Sequence, residues 1–211
     1  MTAPIDFYFA CPSPWSYLAL DALNGIGARY GRDIRYKPID VERAWAETGT
    51  GRPLPEKPQA LQKYRHLDLP RWAVFRGVEI NPTPKKLAPA TKFLTSRAII
   101  AARQTGSNVY PLVRAFMRGL WVHDMNISEA ATVAALANDA GFDGHALVAA
   151  ADSPAVGAEF AANTVEALNY GAWSVPSIVV DGELFYGQDR LEMIGLRLAG
   201  GKSDAPRKRG R

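Results

Sequence analysis

A cysteine and a serine stand two residues apart in the stretch FACPSPWSYLAL (residues 9–20), where a predicted strand gives way to a predicted helix. Cys11 is the only cysteine of the chain, so no second thiol completes a redox pair. A helix N-terminus offers unpaired N–H groups and the positive end of the helix dipole, which stabilise a thiolate. The turn at Ser13 therefore suits sulfur chemistry, whether the sulfur belongs to the protein or to a ligand. The structural alternative is that Ser13 is an N-cap and Pro14 its first-turn proline.

A second group surrounds Val175-Pro176, directly before a predicted strand. A proline at this place cannot donate a hydrogen bond to the ladder. If the bond between the two residues is cis, the main chain of Val175 is free to pair with an extended, peptide-like ligand, as an added strand would. An ordinary loop proline is the alternative.

A third group, Tyr186-Gly187-Gln188-Asp189, lies between the last predicted strand and the last predicted helix. Gly187 allows a ligand or another backbone to approach closely. Gln188 and Asp189 can hold an amino-acid head group, the carboxylate pairing with the ammonium and the amide with the carboxylate. The alternative is that Asp189 caps the following helix.

The elements that must position these groups follow a recognisable order. A strand, a helix and a second strand form a βαβ unit, and a strong hairpin signal, Asp181-Gly182, stands in the C-terminal part. Without the helical block between them, this order is that of an α/β, thioredoxin-like fold (βαβ…ββα) with a large all-helical insertion. The predicted segments are strands at 5–11 and 33–40, a helix at 15–31, a loop at 42–58, helices from 59 to 170, a hairpin at 177–187 and a helix at 188–200. The predicted domains are 1–41 with 171–201 (thioredoxin-like), 42–170 (helical insertion) and 202–211 (disordered basic tail).

Composition and charge exclude several classes of function. The formal net charge of +4 belongs to the tail at 202–211, because the remaining chain has 20 basic and 20 acidic residues. A neutral body offers no basic stripe, so nucleic acid is not an expected partner. We expect no membrane span, since no apolar run approaches the roughly 20 residues that one needs. Neither a secretory signal nor a metal-ligand spacing is apparent, and a single cysteine fits a reducing cytoplasm.

Taken together, FYFACPSPWSYLA, the helical middle and VPSIVVDGELFYGQDRLEMI closely resemble the DsbA-like family of 2-hydroxychromene-2-carboxylate isomerases, whose relatives include the kappa-class glutathione transferases. The segment YRHLDLPRWA (64–73) supports the resemblance within the insertion. In redox members of this family a C-x-x-C turn occupies the strand-to-helix junction. Residues 13–16, Ser-Pro-Trp-Ser, match its four positions, with serine in place of both cysteines.

The resemblance implies glutathione as the cofactor. It assigns the contact with the glutathione sulfur to Ser13, which is also the expected catalytic residue. It assigns pairing with the glutathione cysteine to the residue before a cis-proline, and contact with the γ-glutamyl end to a loop near the C-terminus. The implied glutathione-binding residues are Ser13, Val175, Pro176, Tyr186, Gly187, Gln188 and Asp189. The family has no catalytic residue at Cys11, which we expect to be a small buried apolar side chain.

The substrate side departs from the family pattern. A substrate-contacting lysine of the isomerases corresponds to Trp45, and an Asn-Arg pair corresponds to Pro55-Glu56. Both changes remove positive charge, which Lys85, or else Lys86 or Arg52, could restore. The predicted substrate residues are Trp15, Trp45 and Lys85.

The resemblance implies a glutathione-dependent isomerase in aromatic-compound catabolism that works by reversible thiolate addition, bond rotation and elimination. The expected substrate is a small aromatic or conjugated carboxylate, and the expected form is a cytoplasmic homodimer. A kappa-like glutathione transferase and a non-catalytic glutathione-binding module stay open as alternatives. A dithiol oxidoreductase is excluded because it needs a resolving cysteine.

Overall fold

A four-stranded mixed sheet lies at the centre of the computed structural model, which describes residues 3–87 and 93–200. Its strands are β1 (Ile5–Phe9), β2 (Ile34–Pro38), β3 (Ser177–Val180) and β4 (Glu183–Tyr186). The strand order is β2-β1-β3-β4. β1 runs parallel to β2 and antiparallel to β3, and β4 runs antiparallel to β3. The predicted α/β thioredoxin fold is confirmed.

Helices cover the sheet, and in the described residues between β2 and β3 they are joined only by turns, loops and one short 3₁₀ segment (Leu54–Glu56). They are α1 (Pro14–Tyr30), α2 (Val41–Thr48), α3 (Gln59–Arg76), α4 (Leu94–Gln104), α5 (Tyr110–Trp121), α6 (Ala130–Asp139), α7 (Gly144–Ala150), α8 (Pro154–Asn169) and α9 (Leu191–Leu198). No helix in the described part of the chain is long and apolar enough to cross a membrane. The division into domains stays a prediction, and the predicted tail at 202–211 lies outside the described residues.

The prediction of a loop over 42–58 is wrong for residues 42–48, which belong to α2. Asp40 caps this helix by accepting a hydrogen bond from the main-chain N–H of Arg43 (2.9 Å). Gly49 ends it in the left-handed conformation, with φ 67°. The glycines and prolines that suggested a loop all follow residue 48. Their high density after that point obscured the short run before it, whose residues are compatible with a helix.

The hairpin between β3 and β4 turns where the sequence predicts it. Asp181 has φ 50° and Gly182 has φ 82°, which are the two positive values that a type I′ turn requires.

The two faces of β1 enter separate apolar clusters. Phe7 and Phe9, whose rings stack 4.9 Å apart, pack in the cluster that includes Leu20 and Leu23 of α1. Tyr8 points the other way, into a cluster with Ala167 of α8. This alternation buries β1 on both faces.

Candidate functional site

Three segments that the sequence singles out emerge at one end of the sheet. Tyr8 of β1 opposes Ser177 of β3, and Ser177 opposes Tyr186 of β4. The residues after β1, before β3 and after β4 therefore lie side by side. The main-chain N–H of Gly187 donates to the carbonyl of Pro176 (2.9 Å) and closes two of these segments against each other.

Ser13 is the N-cap of α1. Its Oγ accepts a hydrogen bond from the N–H of Ser16 (3.2 Å), and its own N–H donates to the carbonyl of Ala10 (3.0 Å). Pro14 is the first helical residue, so the N-cap interpretation is confirmed. The cap bond uses a lone pair of the hydroxyl and leaves its hydrogen to donate elsewhere. Capping and chemistry are therefore compatible at this residue.

The bond between Val175 and Pro176 is cis. Val175 is buried, yet its main-chain N–H and C=O make no hydrogen bond within the described chain. The preceding residue, Ser174, is held by two bonds: its carbonyl accepts from Ser177 Oγ (2.7 Å), and its Oγ accepts from Trp45 Nε1 (3.1 Å). The unpaired main-chain groups thus sit on a fixed piece of backbone.

Trp45 reaches this loop from α2 and is half-buried. Its indole lies so close to Gly51 that a Cβ there would come within 2.1 Å of the Trp45 Cδ1 atom. The bond to Ser174 places Trp45 beside the segment that precedes β3, and its substrate role stays a prediction.

The loop after β4 is stabilised by contacts of its own residues and of Trp173 before β3. The ring of Tyr186 packs 4.1 Å from that of Trp173, and Gly187 has φ 104°. Gln188 is almost fully buried (2% exposed), and Asp189 forms an ion pair with Arg190 (3.1 Å). Arg190, not Asp189, stands at the N-cap of α9 and makes no side-chain cap bond, so the capping alternative for Asp189 is wrong.

Arg76 of α3 holds the Gln188 side chain, and sequence reasoning missed it. Its Nε donates to Gln188 Oε1 (3.0 Å), and its Nη2 donates to the carbonyl of Gln188 (2.6 Å). It also pairs with Glu192 of α9, and its side chain is only 8% exposed. Helical spacing was the sequence signal that could have identified Arg76, because Arg76 lies on the same face of α3 as the buried Leu69 and Ala73.

The other two predicted substrate residues, Trp15 and Lys85, differ in burial. Trp15 is half-buried and packs with Leu18 of α1 and Leu69 of α3. Lys85 is exposed, and in the described chain no hydrogen bond or ion pair joins it to this end of the sheet. The neighbouring residue, Lys86, donates its main-chain N–H to Asp124 Oδ1 (2.9 Å), just beyond α5.

Cys11 is fully buried, and burial raises the pKa of its thiol to about 12. Its carbonyl accepts a hydrogen bond from Trp121 Nε1 (3.0 Å). A thiol with this pKa stays protonated near neutral pH and is a poor nucleophile. The environment is that of a small apolar side chain, as the sequence predicts.

Comparison with known proteins identifies the family of the chain. Residues 4–199 match the family model described as DSBA-like thioredoxin domain. A 2-hydroxychromene-2-carboxylate isomerase from Sphingobium xenophagum is 30% identical over 194 residues, which are 92% of this chain and 97% of that protein. A glutathione S-transferase kappa 1 from Caenorhabditis elegans is 28% identical over 130 residues, 59% of this chain and 55% of that protein.

The solved structure of a 2-hydroxychromene-2-carboxylate isomerase superposes with a TM-score of 0.73 at 23% identity, covering 93% of this chain and 94% of that one. At this identity the likeness shows the fold. The family resemblance predicted from the sequence motifs is confirmed.

Proposed function

Since the chain belongs to the DSBA-like thioredoxin family, with 2-hydroxychromene-2-carboxylate isomerases among its relatives, we propose that it is a glutathione-dependent isomerase of conjugated aromatic carboxylates. One observation carries the proposal. The Ser13 hydroxyl, whose hydrogen the cap bond leaves unused, and the unpaired main chain of Val175 emerge at the same end of the sheet.

In this proposal glutathione lies along Val175-Pro176 and pairs with the main chain as an added strand would. Its γ-glutamyl end reaches Gln188 and Asp189. Arg76 donates to Oε1 of Gln188, so the amide N–H groups of that side chain are left to donate to the glutamyl carboxylate. The Asp189 carboxylate receives the ammonium.

The sulfur of glutathione meets Ser13 at the N-terminus of α1. The hydroxyl and the first-turn N–H groups stabilise the thiolate, with the positive end of the helix dipole adding to their effect. When bound, glutathione would supply a thiolate for reversible addition to a conjugated carbon of the substrate, which permits rotation about the former double bond. Ser13 acts as a hydrogen-bond donor, not as the covalent nucleophile.

Replacing Ser13 by alanine tests this assignment. Loss of a donor to a developing anion lowers kcat by about 10²- to 10³-fold, while glutathione affinity measured by calorimetry changes only a few-fold. The lost cap costs about 1 kcal/mol of stability. An unchanged kcat in Ser13→Ala would contradict the proposal.

The chain offers two matched controls. Ser153 caps α8 before a proline in the same way, its Oγ accepting from the N–H of Val156 (3.4 Å), so Ser153→Ala loses a cap and keeps its activity. Ser16 holds the other cysteine position of the turn, is buried, and has no partner for its Oγ among the described residues. Ser16→Ala therefore keeps its activity and gains stability.

A kappa-like transferase is a second candidate, favoured by the match to the kappa-class enzyme. An isomerase leaves glutathione unconsumed, whereas a transferase consumes it stoichiometrically, so free-thiol measurement during turnover separates the two. A non-catalytic glutathione-binding module is motivated by the loss of positive charge at Trp45 and Pro55-Glu56. It would bind glutathione without turning over chromene carboxylates or electrophiles.

The resemblance alone extends the proposal to a cytoplasmic homodimer acting in aromatic catabolism. Light scattering during gel filtration tests the dimer, with a mass near 23 kDa contradicting it.

A further inference from the structure

The helix α3 carries apolar side chains on two opposite faces. Leu69 and Ala73 on its inner face are buried and pack with Leu18 of α1. Ten large apolar or aromatic side chains are exposed in the described part of the chain, and half of them belong to this one helix: Leu61, Tyr64, Leu67, Val74 and Phe75. A concentration of this kind on one element marks a contact surface, whereas single exposed apolar residues are ordinary.

The exposed residues form a stripe along the outer face of α3. Tyr64, Leu67, Arg71 and Val74 follow one another at spacings of 3, 4 and 3 residues, which is the seam of a helix that packs lengthwise against another helix. Leu61 and Phe75 flank this seam, and the six residues together are called the outer stripe. Because a helix with apolar residues on all sides is normally buried, a second element is expected to cover the outer stripe.

The outer stripe has the size of a subunit interface. Its five apolar side chains are each at least 55% exposed, and at roughly 100 Å² each they present about 500 Å² of apolar surface. Interfaces between identical subunits are about 65% apolar, so this surface corresponds to roughly 800 Å² per partner, the area that a stable interface buries on each side.

The charges beside the seam match a second copy of the same chain. Asp68 accepts a hydrogen bond from the Tyr64 hydroxyl (3.3 Å), and neither Asp68 nor Arg71 forms an ion pair within the described residues. Parallel pairing of two α3 helices would set Arg71 against Arg71, which repulsion opposes. Antiparallel pairing sets each arginine beside the aspartate of the other copy and makes two equivalent ion pairs about a twofold axis.

We propose that α3 of one copy packs antiparallel against α3 of a second copy through the outer stripe. A twofold axis level with position 69 sets Tyr64 opposite Val74 of the other copy, and Leu67 opposite Arg71. The aliphatic stem of Arg71 covers Leu67 while its guanidinium reaches Asp68. This inference rests on the proposed function for the expectation of two copies, and it adds the surface through which they meet.

Sedimentation equilibrium over a range of protein concentrations measures the dissociation constant of the dimer. We expect the wild-type protein to sediment with twice the chain mass of 23.0 kDa. Leu67→Asp and Val74→Asp each place a charge in the stripe of both copies and raise the dissociation constant by about 100-fold or more. Both side chains are exposed within one copy, so the variants keep the circular dichroism spectrum of the folded chain. Val165→Asp, the same change at an exposed valine of α8, leaves the dimer intact.

An exchange of charges tests the antiparallel arrangement. Asp68→Arg alone brings four arginine side chains together at the axis and dissociates the dimer. Asp68→Arg combined with Arg71→Asp again gives every charge an opposite partner, so association recovers. A double variant that stays as dissociated as Asp68→Arg would refute this arrangement.

Two results would overturn the inference: a wild-type protein that sediments at 23.0 kDa, or a dimer that both Leu67→Asp and Val74→Asp leave intact. In the first case, co-sedimentation with phosphatidylglycerol vesicles would assign the outer stripe to a lipid surface instead. Failure of the proposed function is seen separately, because calorimetry measures glutathione binding on the wild-type protein and on Val74→Asp alike. A dimer that binds no glutathione refutes the isomerase and leaves the interface standing.

Discussion

Replacing Arg76 by methionine tests whether the helical insertion supports the proposed glutathione site. The change keeps an unbranched, apolar side chain on α3 and removes every guanidinium contact. The two oxygens of Gln188 lose their donors at 3.0 and 2.6 Å, and Glu192 loses its ion pair. The variant thus disconnects α3 from the loop that follows β4.

The expected cost follows from the burial of the two partners. Gln188 is 2% exposed, and leaving a buried acceptor without a donor costs about 1–3 kcal/mol. The Glu192 side chain is 54% exposed, so that pair adds at most about 1 kcal/mol. A total of about 1–4 kcal/mol lowers the melting temperature of a chain of this size by about 2–16 °C. The loosened loop weakens glutathione binding by about tenfold, because the ligand must now order it.

The pH dependence of stability separates the contribution of the Glu192 ion pair from that of the Gln188 hydrogen bonds. The hydrogen bond from Arg76 lowers the pKa of Glu192 in the folded protein. Its stabilisation is therefore present above the unfolded pKa of a glutamate and is lost as the pH falls through the folded value. The difference in stability between wild type and Arg76→Met should shrink from pH 7 towards pH 3, while the part due to Gln188 persists.

Denaturant melts at both pH values and calorimetry with glutathione measure these effects, with Arg71→Met as the control on the exposed side of α3. Arg76→Lys restores the charge but cannot reach all three acceptors, so an intermediate result is expected. A melting temperature within about 2 °C of wild type, or unchanged glutathione affinity in a destabilised variant, would refute the supporting role.

Three further substitutions, and a control for the first of them, have defined outcomes. Gly187→Ala places a Cβ 2.3 Å from Asp189 Oδ1 at a backbone φ of 104°, so about 1–3 kcal/mol of strain should accompany weaker glutathione binding in calorimetry. Gly77→Ala, where the added Cβ meets open space, should leave that affinity intact. Trp45→Phe loses its 3.1 Å indole bond and about 1 kcal/mol of unfolding free energy in denaturant titrations. Cys11→Ser buries a hydroxyl and costs about 1–3 kcal/mol, but kcat should not change; a folded variant without activity would restore a role for the thiol.

Local patterns predicted those parts of the fold that local forces determine. Ser13-Pro14 begins α1 and Asp181-Gly182 turns the hairpin, because capping and positive φ depend on the residues themselves. The helix α2 was missed for a related reason. Only two of its residues, Val41 and Ala44, are buried, so its apolar period is too short to stand out from the glycine- and proline-rich run that follows.

The side-chain pairing of the site could not be predicted in this way. Arg76 and Gln188 are 112 positions apart, and nothing in either neighbourhood marks the other as its partner. Asp189 was a reasonable cap by position, but its side chain turns to Arg190 instead. The order of the motifs predicted where the candidate site lies, whereas its side-chain pairs become visible only in the folded chain.

The burial of Cys11 has a practical consequence for experiments on this protein. The chain has one sulfhydryl, and that group is fully enclosed with a pKa near 12. A colorimetric thiol reagent added to the folded protein therefore finds almost no thiolate to react with. Every free thiol counted in a reaction mixture belongs to added glutathione, so its consumption or conservation can be followed without subtracting a protein background. Storage without a reducing agent should likewise produce no disulfide-linked aggregates.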